Sequence, residues 1–172
     1  MKRIILFLTT VFLFVSIVCA NGSGTEKSLV KGELSNMKIS IQITSDSGKH
    51  TLSATLVDNS SAAAFYELLK KGTLTVKMTD YGNFEKYGPI GTSLPKNDTQ
   101  ITTCAGDIIL YQGNQITIYY DKNSWNFTRL GKVVSTLRQG SVTTSSTTAI
   151  NKAELKKILG KGDVTAVFEI AE

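Results

Sequence analysis

Apolar and polar residues alternate along two neighbouring segments early in the chain. From Met37 to Thr44 every second residue is apolar, and the same pattern returns from Thr51 to Val57. A period of two is the side-chain period of a strand with one buried face. The residues between them, 45–48, read Ser-Asp-Ser-Gly, which is typical turn sequence. These segments therefore predict a β-hairpin.

Two other segments have the spacing of short helices. After Asn59, apolar side chains recur three and four residues apart, and Gly72 follows them. Asn151 and Gly160 enclose a second segment of this kind. Asparagine caps helix starts through its side-chain oxygen, and glycine often ends helices. We expect one helix over residues 62–71 and another from the Asn151 cap to residue 159.

The remaining strands are short. Alternation predicts strands over residues 74–78, 101–103 and 163–170, and three more between residues 106 and 133. Residues 80–98 form the longest irregular stretch, rich in glycine, and a loop of this length is often functional. Residues 139–148 predict a loop or a weak edge strand. Eight or nine short antiparallel strands favour a closed barrel, because closure leaves few unpaired edges, with the helices covering its open ends.

The N-terminus predicts export. Residues 1–20 combine two basic residues, an apolar run and small residues at its end, as a secretory signal does. Residues 21–35 are expected to form a flexible tether, and residues 36–172 the folded domain. Two processing routes fit: cleavage after Ala20, or lipid attachment to Cys19. We expect a periplasmic or extracellular protein that meets a membrane only through such a lipid anchor.

Charge and composition exclude several functions. The formal net charge falls from +5 to +3 when Lys2 and Arg3 are removed, and no basic stripe remains to bind nucleic acid. His50 is the only histidine, which argues against a histidine metal cluster or a Ser-His-Asp triad. No phosphate-binding loop occurs, so no cofactor is expected. Without Cys19, Cys104 would have no cysteine partner, and it is expected to be a buried small residue.

Three short motifs carry a family resemblance. Residues 105–108 read Ala-Gly-Asp-Ile, residues 113–118 Gly-Asn-Gln-Ile-Thr-Ile, and residues 130–133 Leu-Gly-Lys-Val. In this order they are similar to the Gly-Gly-Asp-Phe, Gly-Ser-Gln-Phe-Phe-Ile and Phe-Gly-Lys-Val motifs of cyclophilins. The shorter loops between them resemble those of the trimmed bacterial cyclophilin-like proteins. This resemblance implies a mainly β fold: a closed antiparallel barrel of about eight strands with two short capping helices.

The resemblance also implies where isomerase residues would stand. Aligned on the motifs, the arginine position of a prolyl isomerase falls on Lys96, and pocket aromatic positions fall on Ile101 and Thr117. Lysine lacks the planar guanidinium that stabilises a twisted amide, and the aromatic lining is mostly lost. Lys96 is therefore only a weak catalytic candidate.

The first functional hypothesis is a non-catalytic module for a small ligand or an extended peptide. Trp125 is the strongest candidate for a ligand-binding residue, because a large aromatic residue in a polar hairpin is more often a docking residue than a core residue. The alternative is a weak or altered peptidyl-prolyl isomerase that acts on exported proteins through Lys96. The predicted ligand-binding residues are Phe84, Tyr87, Ile101, Tyr111, Trp125, Phe127 and Arg129.

Overall fold

The computed structural model describes residues 37–136 and 147–171. The predicted signal sequence and tether, with Cys19, lie outside the described residues. In chain order the described elements are β1 (Lys38–Ser45), β2 (Gly48–Leu56), α1 (Ser60–Lys70), β3 (Leu74–Tyr81), β4 (Glu85–Pro89), β5 (Thr99–Thr102), β6 (Asp107–Tyr111), β7 (Gln115–Tyr119), β8 (Ser124–Thr136), β9 (Thr147–Ala149), α2 (Lys152–Leu159) and β10 (Val164–Ile170).

Eight of these strands close into a ring. Hydrogen-bonded neighbours follow the order β2-β1-β10-β3-β4-β7-β6-β8, and β8 pairs back onto β2. Each of these pairings is antiparallel. Strands β5 and β9 pair with β8 without joining the ring. The prediction of a mainly β fold, with antiparallel strands in a ring-like sheet and two short helices, is confirmed.

The ring encloses one apolar core. Every second residue of β1 points inward, and Ile39, Ile41 and Ile43 are fully buried, as the alternation predicts. Helix α1 adds Phe65, whose ring meets that of Phe168 edge-on with centroids 5.9 Å apart. Helix α2 contributes further buried leucines to the same core. In the part of the chain that the structure describes, no helix is long and apolar enough to cross a membrane.

The helix caps follow the sequence. The Asn59 side chain accepts a hydrogen bond of 2.7 Å from the Ala62 amide, and Asn151 accepts one of 2.8 Å from Glu154. Gly160 ends α2 with φ of 61°, a conformation that glycine adopts without steric cost. Both predicted helices are confirmed, and α1 begins two residues before the predicted residue 62 because Ser60 and Ser61 are already helical.

The stretch 80–98 is more regular than predicted. Strand β3 continues to Tyr81, and residues 85–89 form β4 despite Gly88 and Pro89. Gly88 is required there, because a Cβ at this position would lie 2.3 Å from the Lys77 carbonyl oxygen. The loop that follows is fixed to α1, since the Ser61 hydroxyl donates a 2.6 Å hydrogen bond to the Pro95 carbonyl. The expectation of an irregular segment was therefore wrong for its first half.

Two further expectations concern Cys104 and the Ser/Thr-rich segment. Cys104 is half-buried and not fully buried as expected, and the expectation about its cysteine partner involves Cys19, which lies outside the described residues. Of the Ser/Thr-rich segment 139–148, the described residues 147–148 belong to β9, an edge strand, as one of the two alternatives predicts. The residues before them lie outside the described part.

Substitution of Gly131 tests the closure of the ring. A Cβ at Gly131 would lie 2.6 Å from the Thr55 carbonyl oxygen and 3.0 Å from the Leu56 Cα, across the β2–β8 pairing. We expect Gly131→Ala to lower the free energy of unfolding by about 2 kcal/mol, as overpacking does. Urea denaturation measures this change. Ser53→Thr adds one carbon to an exposed position of the same pairing and serves as the control. If Gly131→Ala and Ser53→Thr had equal free energies of unfolding, the β2–β8 pairing would not depend on the close approach of the two strands at Gly131.

Candidate functional site

A cavity of about 370 Å³ opens on the outer face of the ring. This volume lies in the range of roughly 300–1,000 Å³ typical of small-ligand sites. The cavity lies over β4, β7, β6 and the start of β8, which are neighbours in the sheet. Its lining consists of Tyr81, Glu85, Tyr87, Tyr111, Gln115, Thr117, Tyr119, Asn123, Trp125 and Phe127.

The cavity exists because this part of the ring has apolar side chains on both faces. On β6 and β7, residues such as Leu110 and Ile118 point into the barrel core. Their neighbours Ile109 and Tyr119 point outward and pack with Phe127 of β8 in a second, smaller apolar cluster. All three outward residues are at least 97% buried, given exposures of 0%, 3% and 3%. The cluster forms a buried apolar floor for the cavity.

The walls are aromatic rings set at steep angles. Tyr81 and Tyr87 meet edge-on, with centroids 6.0 Å apart and planes at 88°. In the floor, the rings of Tyr119 and Phe127 have centroids 5.5 Å apart and planes at 55°. Trp125 is 62% exposed and Tyr81 58% exposed. Large aromatic surfaces left open beside a cavity are more informative than scattered exposed apolar residues, because contiguous exposed apolar surface marks interaction sites.

Strand β4 holds its outward residues in place through the residue between them. Glu85 and Tyr87 face the cavity, so Lys86 points the opposite way and is fully buried. The Lys86 ammonium lies 2.9 Å from an Asp80 carboxylate oxygen and donates a 2.6 Å hydrogen bond to the Gly162 carbonyl. The Tyr120 hydroxyl donates a 2.6 Å hydrogen bond to the same Asp80 oxygen. This network fixes the β3–β4 hairpin and thereby the position of Glu85.

Glu85 brings an unusual carboxyl group to the cavity. Its Oε2 atom is buried and has no hydrogen-bond partner among the described residues. Burial raises the pKa of this carboxyl above its usual value, and the negative charge of Asp80 adds to the rise, while a hydrogen bond with Tyr119 opposes it. Burial and this contact with Glu85 also raise the pKa of the Tyr119 hydroxyl. Perturbed groups of this kind are concentrated at functional sites.

Four of the seven predicted ligand-binding residues line the cavity: Tyr87, Tyr111, Trp125 and Phe127. Phe84 and Ile101 do not line it, but they pack against the apolar cluster beneath it. Trp125 belongs to strand β8, where it pairs with Ile101, and not to a hairpin turn as predicted. Its exposure nevertheless agrees with the reason for choosing it.

Arg129 and Lys96 lie apart from the lining. The Arg129 guanidinium donates a 3.2 Å hydrogen bond to the buried Asp107 carboxylate, which also accepts one from the Cys104 amide. The Lys96 ammonium lies 3.5 Å from Asp98, and its side chain runs beside the Gly113 turn. Neither cation belongs to the cavity lining. Asp107 thus supports the backbone at the start of its strand.

Six lining residues are absent from the predicted ligand-binding set: Tyr81, Glu85, Gln115, Thr117, Tyr119 and Asn123. Of these, the family resemblance placed only Thr117 at a pocket position. Glu85 lies in the segment that was expected to be irregular, so its side-chain direction could not be inferred. Once β4 is recognised as a strand, the alternation with Tyr87 places both side chains on one face. The unpaired state of the Glu85 oxygen depends on packing between distant strands and leaves no local sequence pattern.

The comparisons with known proteins agree with this architecture. A sequence profile of the cyclophilin-like family matches residues 45–169, which is most of the chain. The chain therefore belongs to the cyclophilin-like family. No curated protein matches the sequence. Family membership confirms the resemblance seen in the three motifs, and the properties of the cavity have to be argued from its own residues.

Removal of the Lys86 charge tests the anchoring of β4. Lys86→Met leaves the partly buried Asp80 without its cation, and we expect a loss of about 3 kcal/mol in the free energy of unfolding. Chemical denaturation measures the loss. Lys77→Met, on the exposed face of the neighbouring strand, should change stability by no more than about 0.5 kcal/mol. If both variants were equally stable, the Lys86 network would not hold the hairpin.

The pH dependence of the stability tests whether folding raises the pKa of the Glu85 carboxyl. A carboxyl whose pKa is raised by folding favours the folded state at low pH, and this contribution is lost as the pH rises from the unfolded-state value of 4.5 through the raised pKa. Glu85→Gln should therefore be more stable than the wild type at pH 7 and nearly equal to it at pH 4. Thermal unfolding at both pH values measures this difference. A variant that is less stable at pH 7 would contradict the assigned direction.

Proposed function

We propose that this protein is an exported cyclophilin-like module that binds a small ligand, or a side chain of an extended peptide, in the outer cavity. The single observation that supports this most is the combination of an open cavity with aromatic walls and a buried apolar floor. Ligand sites are mostly apolar, with a few polar groups that fix orientation. Glu85, Gln115, Thr117 and Asn123 provide such groups here.

Binding without catalysis fits the chemistry of the lining. The ten described lining residues include no histidine, cysteine, lysine or arginine. Nucleophilic catalysis needs an activated nucleophile beside a base, and amide rotation needs a strong donor at the twisted bond. Thr117 and the tyrosines have hydroxyl groups, but the pKa of Tyr119 is raised, which makes it a weaker nucleophile and not a stronger one. Recognition is therefore the better supported role.

Export is part of the proposal and is supported by the sequence alone. The basic start, the apolar run and the small residues before residue 21 have the order of a secretory signal. Periplasmic or extracellular location would place the cavity in contact with small molecules and with other exported proteins. Attachment of a lipid at Cys19 would add a membrane tether.

Tryptophan fluorescence tests the binding proposal directly. Trp125 is the only tryptophan, and it lines the cavity while 62% exposed. A ligand that covers it should shift its emission to shorter wavelength, and screening of metabolites and short peptides should yield saturable shifts. Gln115→Trp would fill the cavity, so binding measured by calorimetry should fall at least tenfold in that variant. Tyr66→Phe, a change on α1 away from the lining, is the control. Ligands that bind the filled variant equally well would contradict the proposed site.

The alternative, a weak peptidyl-prolyl isomerase, has its own test. Lys96 is 54% exposed in its side chain and ion-paired with Asp98, outside the cavity lining. We expect a proline-isomerisation assay on the domain from residue 36 to give a rate close to the uncatalysed one. Acceleration that is lost in Lys96→Ala would support the alternative and count against a purely binding role.

A further inference from the structure

The ionisable groups of the cavity lining indicate the class of ligand more specifically than the shape of the cavity does. Glu85 is the only ionisable acid or base among the ten described lining residues, apart from the tyrosines. Its Oε2 atom is buried without a partner. The nearest cation along the chain, Lys86, points to the opposite face and is paired with Asp80. The cavity lining therefore contains one acidic group with no cation beside it, and the hydrogen bond of Glu85 with Tyr119 leaves its Oε2 atom without a partner.

The aromatic walls add to this negative character. The face of an aromatic ring carries partial negative charge, and a cation over it is attracted by this quadrupole. Tyr81 and Tyr87 stand perpendicular to each other, and Tyr119 and Phe127 lie below them at a steep angle. Trp125, the best ring type for such contacts, completes the lining. Several ring faces and edges thus surround one volume that also borders a carboxyl group.

We propose that the cavity recognises an organic ammonium ion, of the alkylated or quaternary type. This inference rests on the proposed binding function and names its ligand class. An alkylammonium group presents an apolar surface with a diffuse positive charge, which suits ring faces and needs no direct hydrogen bond to the enclosed Glu85 oxygen. When Glu85 is ionised, its partly buried carboxylate attracts the cation more strongly than a fully hydrated carboxylate would. A neutral ring or sugar would leave this acidic group uncompensated.

A pair of ligands equal in shape and different in charge provides the test. Choline and 3,3-dimethylbutan-1-ol differ in having a quaternary nitrogen or a carbon at the same place. Calorimetric titration of the full mature domain should show that choline binds at least tenfold more tightly than the neutral alcohol. Equal affinities, or no detectable binding of choline, would overturn the ammonium proposal. The binding function itself would survive such a result if other ligands still bound the wild type and failed to bind Gln115→Trp.

Three variants test which residues are responsible for choline binding. Glu85→Gln keeps the shape of the side chain and should weaken choline binding at least tenfold while leaving the neutral alcohol unaffected. Glu67→Gln removes the same charge from an exposed position on α1 and should leave both affinities unchanged. Trp125→Ala, at an exposed position that the fold tolerates, should weaken choline binding as well. Retained choline affinity in Glu85→Gln would contradict the proposal.

The ammonium group could belong to a free small molecule or to a peptide side chain. A short peptide that contains trimethyllysine distinguishes these sources in the same titration. Affinity at least tenfold above that of choline would assign the site to peptide side chains, whereas equal or weaker affinity would assign it to free ammonium compounds. Peptides with unmodified alanine in place of the trimethyllysine should not bind if the ammonium group is the recognised feature.

Discussion

The pairing of β2 with β8 is the constraint on which the rest of the structure depends. It joins the two ends of the strand order and turns a sheet into a ring with an inside and an outside. Gly131 permits this pairing because the Thr55 carbonyl passes where any side chain would stand. Once the ring is closed, the inward side chains of β6, β7 and β8 are committed to the core. The apolar side chains next to them along these strands point outward. They are buried against one another in a second cluster, which forms the floor of the cavity.

Two acidic residues near that cavity have opposite environments. Asp80 is also desolvated, but hydrogen bonds from Tyr120 and Lys86 outweigh this effect and lower its pKa. Glu85 has a hydrogen bond with Tyr119 but no neighbouring cation, so burial dominates and raises its pKa. A group that is held in an unfavourable environment lowers stability, and such a cost is expected where the group serves recognition. Asp80 thus stabilises the fold, whereas Glu85 has the environment that the proposed binding role would use.

Much of the fold could be predicted from local sequence, because its determinants are local. The alternation in β1 and β2 and the caps at Asn59 and Asn151 act over a few residues, and all of them agree with the structure. Strand β4 could not be predicted, since Gly88 and Pro89 are strand-breaking residues in isolation. Gly88 occurs there because β3 passes too close for a side chain, which is a contact between strands.

The candidate site was predictable only in part for the same reason. Aromatic residues such as Tyr87, Tyr111 and Trp125 attract attention in any sequence, and they do line the cavity. Glu85 gives no such indication in the sequence, because the relevant feature is that its Oε2 atom has no hydrogen-bond partner in the folded structure. Arg129 was expected among the ligand-binding residues, but it is paired with the buried Asp107 carboxylate and does not line the cavity.

Fluorine NMR of the protein labelled with 5-fluorotryptophan tests the central claim most directly. Since Trp125 is the only tryptophan, the spectrum contains one signal, and that signal comes from the wall of the cavity. If the cavity binds ammonium ions beside Glu85, tetramethylammonium shifts this resonance in a saturable manner, and the shift disappears in Glu85→Gln. An unchanged resonance at saturating tetramethylammonium, or an equal shift in both proteins, would contradict the account.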